Sequence, residues 1–161
     1  NNMVGAHLAN FAAMFKSPNP HFKELVEEKF RVNRFSHALG FCLDKIEEGQ
    51  VRGHLPLREE HLQQDNFAHG GIVLTLCDVV AGFAAYSLVH PGQHVVTAQI
   101  NVSCLRPGVG EFLEATGRVV KPGKNLYFCE SEVWGVLNGE RKLIATSTST
   151  MALMHPRNHQ P

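Results

Sequence analysis

The sequence has no excess of charge of either sign, because its 161 residues include 15 lysines and arginines and 15 aspartates and glutamates. Nucleic-acid-binding domains usually carry a basic excess, so we expect no nucleic-acid partner. The length fits one domain, and an apolar share of 43% is that of an ordinary globular chain, which excludes a disordered one. A neutral surface also weakly favours self-association.

Several motifs that mark other kinds of protein are absent as well. The four cysteines are widely separated and form no CxxC pair, so neither a disulfide framework nor a cysteine-rich zinc site is expected. The ten histidines form no HExxH motif, and there is no glycine-rich phosphate loop. No GxSxG motif occurs either, which argues against a Ser-His-Asp hydrolase. We therefore expect no bound metal and no cofactor.

The first twenty residues lack a basic segment followed by an apolar core, so no secretory signal is expected and a cytoplasmic location is predicted. The longest apolar run, 71–89, is long enough to be tested as a membrane span. However, Asp78 in its middle would cost a few kcal/mol in a bilayer. The nearest cations, Arg58 and Arg106, are too distant to anchor its ends. We predict a buried core helix and no membrane partner.

Apolar periodicity and turn residues predict one order of secondary-structure elements. The predicted elements are a helix at 21–31, a short helix at 33–39, strands at 41–46 and 50–57, the apolar helix at 71–89, and strands at 95–105, 112–120, 126–136 and 142–154. The Asn138-Gly139 pair is the strongest hairpin signal. This order predicts an α+β fold in which one antiparallel sheet of about six strands wraps around the long helix.

We divide the chain into an N-terminal tail and helix (1–34), one domain (35–154) and a loose C-terminal tail (155–161). Within the domain, His69-Gly70-Gly71 precedes the apolar helix. The first N–H groups of a helix have no internal partner, so they can hold a carbonyl oxygen or an oxyanion. Relief of crowding between helix and sheet is the alternative explanation for the two glycines.

Asp78 is the second candidate, because a carboxylate in an apolar helix costs free energy unless it is paired. No cation lies three or four residues away, so its partner lies elsewhere in the fold or is a ligand. Asp78 is about 10 Å along the helix axis from Gly71, too far to act at the start of its own helix. If both groups act on one bond, they come from two copies in a two-fold dimer with antiparallel helices.

The stretch from Gln63 to Asp78 resembles the PaaI-like acyl-CoA thioesterases of the hotdog fold. His69, Gly70, Gly71 and Asp78 match that family's pattern in type and spacing. The resemblance covers about residues 35–153, and further matches are Thr97, Asn101, Arg106-Pro107-Gly108 and Gly117-Arg118-Val119. Two positions depart, since Gln63 stands where the family often has Asn and Asn66 where it often has Gly. Asn tolerates a left-handed backbone better than most residues.

The resemblance implies hydrolysis of an acyl-CoA by a homodimer or a dimer of dimers. It implies that the N–H of Gly70 or Gly71 polarises the thioester carbonyl and that Asp78 of the other subunit is the general base or the nucleophile. His69 would orient the loop or the thioester, and Thr97 would hold the water. Gln63 would contact the carbonyl or the water. For His69 and Thr97, a purely structural role is the alternative.

Further residues are candidates for binding substrate. The basic residues expected at or near turns, where they would meet the CoA phosphates, are Arg106, Arg118, Lys121 and Lys124. Phe83 and Tyr86 are expected to line the acyl pocket, and Asn66 is a further candidate for binding substrate. Two other functions stay open: a hotdog-fold hydratase or dehydratase, and a non-catalytic module that binds acyl thioesters.

Overall fold

The computed structural model describes residues 14–155, which begin with two short helices. Helix α1 (Phe22–Arg31) buries Val26, and helix α2 (Arg34–Leu39) follows directly. The side chain of Asn33 accepts a hydrogen bond from the Ser36 N–H at 3.0 Å, so it caps the start of α2. Residues 1–13 of the predicted N-terminal tail and helix (1–34) and residues 156–161 of the predicted C-terminal tail (155–161) lie outside the described residues, and the domain boundaries stay predictions.

The remaining elements are a single antiparallel sheet and one long helix. The strands are β1 (Cys42–Glu47), β2 (Gln50–Pro56), β3 (His94–Cys104), β4 (Phe112–Pro122), β5 (Leu126–Leu137) and β6 (Glu140–Met154). Their order in the sheet is β1-β2-β4-β5-β6-β3, with every pairing antiparallel. Helix α3 (Gly70–Tyr86) connects β2 to β3 after a short 3-10 turn at Glu59–His61. This is the hotdog fold, so the predicted class is confirmed.

The predicted hairpin between β5 and β6 is also confirmed. Asn138 and Gly139 have φ angles of 51° and 78°, both in the left-handed region. Two such residues form the tight turn whose twist matches that of the flanking strands.

Helix α3 lies across the concave face of the sheet and buries most of its surface there. Gly117 on β4 meets it most closely, because an added Cβ would lie 2.3 Å from the Val80 carbonyl carbon. The helix ends at Tyr86 and not at the predicted Val89. The Ser87 hydroxyl donates to the Ala84 carbonyl at 2.7 Å, so a side chain takes the place of the next helical N–H. No helix within 14–155 is long and apolar enough to cross a membrane.

One arc of α3 faces away from the sheet. Its residues recur every three or four positions and are exposed or half-buried: Gly71, Leu74, Thr75, Asp78, Gly82 and Tyr86. Leu74 is 44% exposed on a helix that is otherwise strongly apolar. This surface, which we call the open arc, carries the only charged residue of α3.

We expect Gly117→Ala to lower the free energy of unfolding by about 1–3 kcal/mol or more, because its methyl group would push the Val80 backbone away. Thr116→Ala is the matched control, since Thr116 is half-buried on the opposite face of β4. It should cost less than about 1 kcal/mol. Denaturant titration of the two variants measures the difference. Equal losses would contradict a special role for the contact at Gly117.

Candidate functional site

The start of α3 leaves one backbone donor without a partner. His69 precedes the helix, and its Nδ1 accepts the Gly71 N–H at 2.9 Å. The carbonyl oxygen of His69 accepts the Ile72 N–H, also at 2.9 Å. Within residues 14–155, the Gly70 N–H has no hydrogen-bond acceptor. Of the two predicted carbonyl donors, Gly70 is therefore available and Gly71 is occupied.

The same hydrogen bond fixes the tautomer of His69. Because Nδ1 accepts, the proton of the neutral ring is on Nε2. The imidazole thus caps the helix with one nitrogen and presents a donor with the other. Both roles predicted for His69, orienting the loop and contacting a ligand, are compatible with this arrangement.

Gly70 lines a cavity of about 430 Å³. The cavity is lined by Gln63, Phe67, Ala68, Gly70, Val73, Cys104, Leu105, Arg106, Pro107 and Gly108. Three of the predicted site residues, Gln63, Gly70 and Arg106, are therefore brought together. Another cavity, of about 310 Å³, lies over the outer face of the sheet and contains neither Gly70 nor Asp78. We take the first as the candidate substrate pocket because it holds the free donor.

The loop before α3 is held by its own hydrogen bonds. The side-chain oxygen of Gln63 accepts the Asp65 N–H at 2.8 Å, which leaves the amide NH₂ of Gln63 for a ligand. Asn66 has a φ of 60°, which is in the left-handed region. This conformation was expected because Asn66 stands where the family often has Gly. The Ala68 N–H donates to the Gly108 carbonyl at 2.8 Å and ties the loop to the segment after β3.

Asp78 is paired with a hydroxyl and not with a cation. The Thr97 Oγ1 on β3 donates to Asp78 Oδ1 at 2.6 Å. Asp78 is half-buried, and its Oδ2 has no partner in the described part of the chain. The family resemblance implies that Thr97 holds the attacking water, which stays a prediction; the structure shows its hydroxyl bonded to the carboxylate.

The free N–H and the carboxylate are too far apart in one chain to share a substrate bond. Asp78 lies eight residues after Gly70, which is about 12 Å along the helix axis. The chain thus carries two partial sites: a pocket with a carbonyl donor at the start of α3, and a carboxylate–hydroxyl pair on the open arc.

Comparison with known proteins identifies the family. The model of the thioesterase superfamily matches residues 65–138, which include Gly70, Asp78 and Thr97. A thioesterase family protein of Silicibacter pomeroyi, of known structure, is 31% identical and superposes with a TM-score of 0.82, covering 83% of this chain and 98% of that one. The chain belongs to the thioesterase superfamily. Its reaction class is therefore thioester hydrolysis.

Two further relatives agree with this assignment. Human acyl-coenzyme A thioesterase 13 is 28% identical over 133 residues, which cover 81% of this thioesterase and 93% of the human protein. The E. coli PaaI protein from the phenylacetic acid degradation operon shares the fold, with a TM-score of 0.74, 22% identity and coverage of 83% and 93% of the two chains.

The four basic residues predicted to meet CoA do not share one environment. Arg106 follows β3 and donates to the Leu143 carbonyl at 2.9 Å, while Lys121 and Lys124 are exposed where β4 ends. Arg118 lies within β4, so its predicted place near a turn is wrong. Because Gly117 and Val119 face α3, Arg118 points to the outer face of the sheet, where it pairs with Glu130 at 2.5 Å.

Phe83 and Tyr86, the two residues predicted to line the acyl pocket, lie in different environments. Phe83 is only 5% exposed, and its ring meets the ring of Phe30 edge-on with 5.8 Å between centroids. Phe83 thus packs against α1 in the core of the described chain, and its assignment to the acyl pocket stays a prediction. Tyr86 is half-buried on the open arc, where a ligand can reach it.

Two buried thiols, that of Cys77 on α3 and that of Cys129 on β5, are unsuited to nucleophilic attack. Burial raises the pKa of Cys77, the residue before Asp78, to about 11. Burial likewise raises the pKa of Cys129 to about 12. Both thiols are therefore protonated near neutral pH, and a thiolate is the reactive form. The carboxylate of Asp78 is the better candidate.

Sequence reasoning missed Phe67, Val73, Cys104 and Leu105 as pocket residues. None belongs to a motif that carries chemistry. Only the pairing of the loop with the segment after β3 brings them together, and the single available signal was the resemblance at Arg106-Pro107-Gly108.

We predict that His69→Ala lowers the free energy of unfolding by about 1 kcal/mol, because the Gly71 N–H loses its acceptor. His69→Asn should stay within a few tenths of a kcal/mol of the native protein, since Asn is a good N-cap. Thermal or denaturant unfolding gives both values. If His69→Asn loses as much free energy of unfolding as His69→Ala, capping of the Gly71 N–H does not account for the loss. A stable Asn variant with slow hydrolysis would assign the imidazole to the thioester.

Proposed function

We propose that this thioesterase hydrolyses acyl-CoA in an active site shared by two subunits. The Gly70 N–H of one subunit polarises the thioester carbonyl, and the partner's Asp78 activates water. One observation carries the proposal: the free donor and the carboxylate are about 12 Å apart in the chain, so neither partial site is complete alone. The similarity to human acyl-coenzyme A thioesterase 13 supports CoA as the thiol.

A two-fold dimer with antiparallel helices would bring the two partial sites together. If Gly70 is level with the partner's Asp78, the residue midway between them, Leu74, lies on the two-fold axis. Leu74 is 44% exposed in the single chain. Contact with the partner's Leu74 would remove it from water, which supports this alignment.

The edge of the sheet supports the same dimer. Within residues 14–155, strand β3 pairs with β6 on one side only, so its other side has unpaired backbone groups along 11 residues. Natural proteins rarely leave a long edge strand uncovered, because it invites pairing with another chain. Val96 on this strand is 50% exposed. A second copy beside β3 would cover the edge and lie next to Thr97 and Asp78.

The residues act as follows in the proposed reaction. The carbonyl oxygen accepts the Gly70 N–H, where the partial positive charge of the helix start stabilises the oxyanion. The partner's Asp78 takes a proton from water through Oδ2 while the water oxygen attacks the carbonyl carbon. Thr97 donates to Oδ1 and so orients the carboxylate. The tetrahedral intermediate then collapses, the C–S bond breaks, and the CoA thiolate takes up the proton.

The pocket offers charge partners for CoA at its rim. Arg106 lines the cavity and is exposed, and only its Nη1 donates to the Leu143 carbonyl. Its remaining N–H groups can meet a phosphate. Arg118 faces the opposite side of the sheet in the single chain, so we assign it no contact with CoA.

Gly70→Pro tests the carbonyl donor. Proline suits the first position of a helix, and His69 already has the extended backbone, with φ −58° and ψ 137°, that proline requires before it. We expect kcat to fall by about a hundredfold or more because the N–H is lost. Gly70→Ala keeps the N–H, and an added Cβ meets nothing within 4 Å, so its loss should be only several-fold. Equal rates for the two variants would remove Gly70 from the mechanism.

Mixing two inactive variants tests whether the site is shared. Gly70→Pro and Asp78→Asn should each be nearly inactive alone. In dimers formed from an equal mixture, about half pair the two variants and hold one intact site, so activity should recover to about a quarter of wild type. Co-expression with two different tags allows the mixed dimer to be purified and assayed. No recovery in that dimer would place both groups in one subunit.

A further inference from the structure

Gly82 lies on the open arc one turn beyond Asp78, and nothing within residues 14–155 requires a glycine there. An added Cβ would meet no atom within 4 Å. Its φ is not in the left-handed region, as expected within a helix. A glycine inside a helix costs about 1 kcal/mol relative to alanine. The space above Gly82 is therefore open within residues 14–155 and available to a ligand or a second subunit.

The alignment of the proposed dimer shows what lies opposite. With Leu74 on the two-fold axis, Gly82 is level with the loop that precedes α3 in the other subunit. That loop contains Phe67, which lines the pocket next to Gly70. Phe67 is half-buried and belongs to neither hydrophobic cluster of the described chain, so its ring is not needed for the core.

We propose that the acyl group lies between Phe67 of one subunit and the partner's Gly82, and that Gly82 is a specificity-determining residue. This inference rests on the proposed function. Gly82 is about one helical turn, ~5.4 Å, from Asp78, so it faces the acyl carbons a few bonds from the carbonyl. The missing side chain admits acyl groups that carry a ring or a branch at that distance. Tyr86, one turn further along α3, closes the end of this space between the subunits, which we call the acyl groove.

The test compares narrow and wide acyl groups on variants in which a side chain fills the space above Gly82. Wild type, Gly82→Ala and Gly82→Val are assayed with butyryl-, hexanoyl-, 3-methylbutyryl- and phenylacetyl-CoA. We expect wild type to accept the branched and ring-bearing thioesters. In Gly82→Val, kcat/KM for these two should fall by about tenfold or more, while the straight chains lose less than about threefold. Gly82→Ala should show a smaller change in the same direction.

A second variant tests the facing residue. Phe67→Ala alone removes one wall of the acyl site, so kcat/KM should fall by a similar factor for all four thioesters and their ratio should stay near that of wild type. Combined with Gly82→Val, it should restore at least about half of the wild-type ratio between wide and narrow substrates, since the two changes offset each other across the groove. Size-exclusion chromatography of every variant reports whether the dimer is intact.

Different failures point to different errors. Wild type inert toward every acyl-CoA would overturn the proposed function and this inference with it. Activity that depends on Asp78, together with a Gly82→Val profile that is unchanged or lowered equally for all thioesters, would overturn the inference alone. A monomeric Gly82→Val protein would do the same, because the glycine would then serve contact between subunits. A wide-to-narrow ratio that Phe67→Ala does not restore would remove Phe67 from the acyl groove.

Discussion

The close contact between α3 and the sheet determines where the candidate groups on α3 lie. Gly117 lets the backbone at Val80 approach β4 without a side chain between them. Because a helix is rigid over this length, the Gly70 N–H, Asp78 and Gly82 are held at fixed spacings along α3. The sheet covers one side of α3, so these groups occur on the open arc and at the exposed start of the helix.

The sequence was sufficient for the fold because local signals agreed with one another. Alternating apolar residues predicted the strands, Asn138-Gly139 predicted a hairpin, and the apolar run predicted the central helix. The end of that helix was misplaced because the Ser87 hydroxyl bonds to the Ala84 carbonyl, which apolarity does not reveal. The side of the sheet that Arg118 faces was available from alternation alone, since its neighbours Gly117 and Val119 face α3.

The candidate site was less accessible to sequence reasoning. The motif indicated that Gly70 or Gly71 donates to a carbonyl, but only the structure shows that His69 Nδ1 occupies the Gly71 N–H. The partner of Asp78 could not be inferred from its own helix, because Thr97 lies on a strand 19 residues later. Phe67 and Leu105 line the same cavity because the loop bonds to Gly108. Each of these facts depends on contacts between distant segments.

Separation of the donor and the carboxylate along one helix has a chemical consequence. A carboxylate beside an unpaired N–H at a helix start would accept that hydrogen bond and occupy the donor needed by a carbonyl. At about 12 Å, Asp78 cannot do so within its own chain, and the Thr97 hydroxyl holds it on the open arc instead. In the proposed dimer the two groups meet only across an interface, where the thioester lies between them. Assembly and formation of the active site would then be the same event, and an isolated subunit would have no route to hydrolysis.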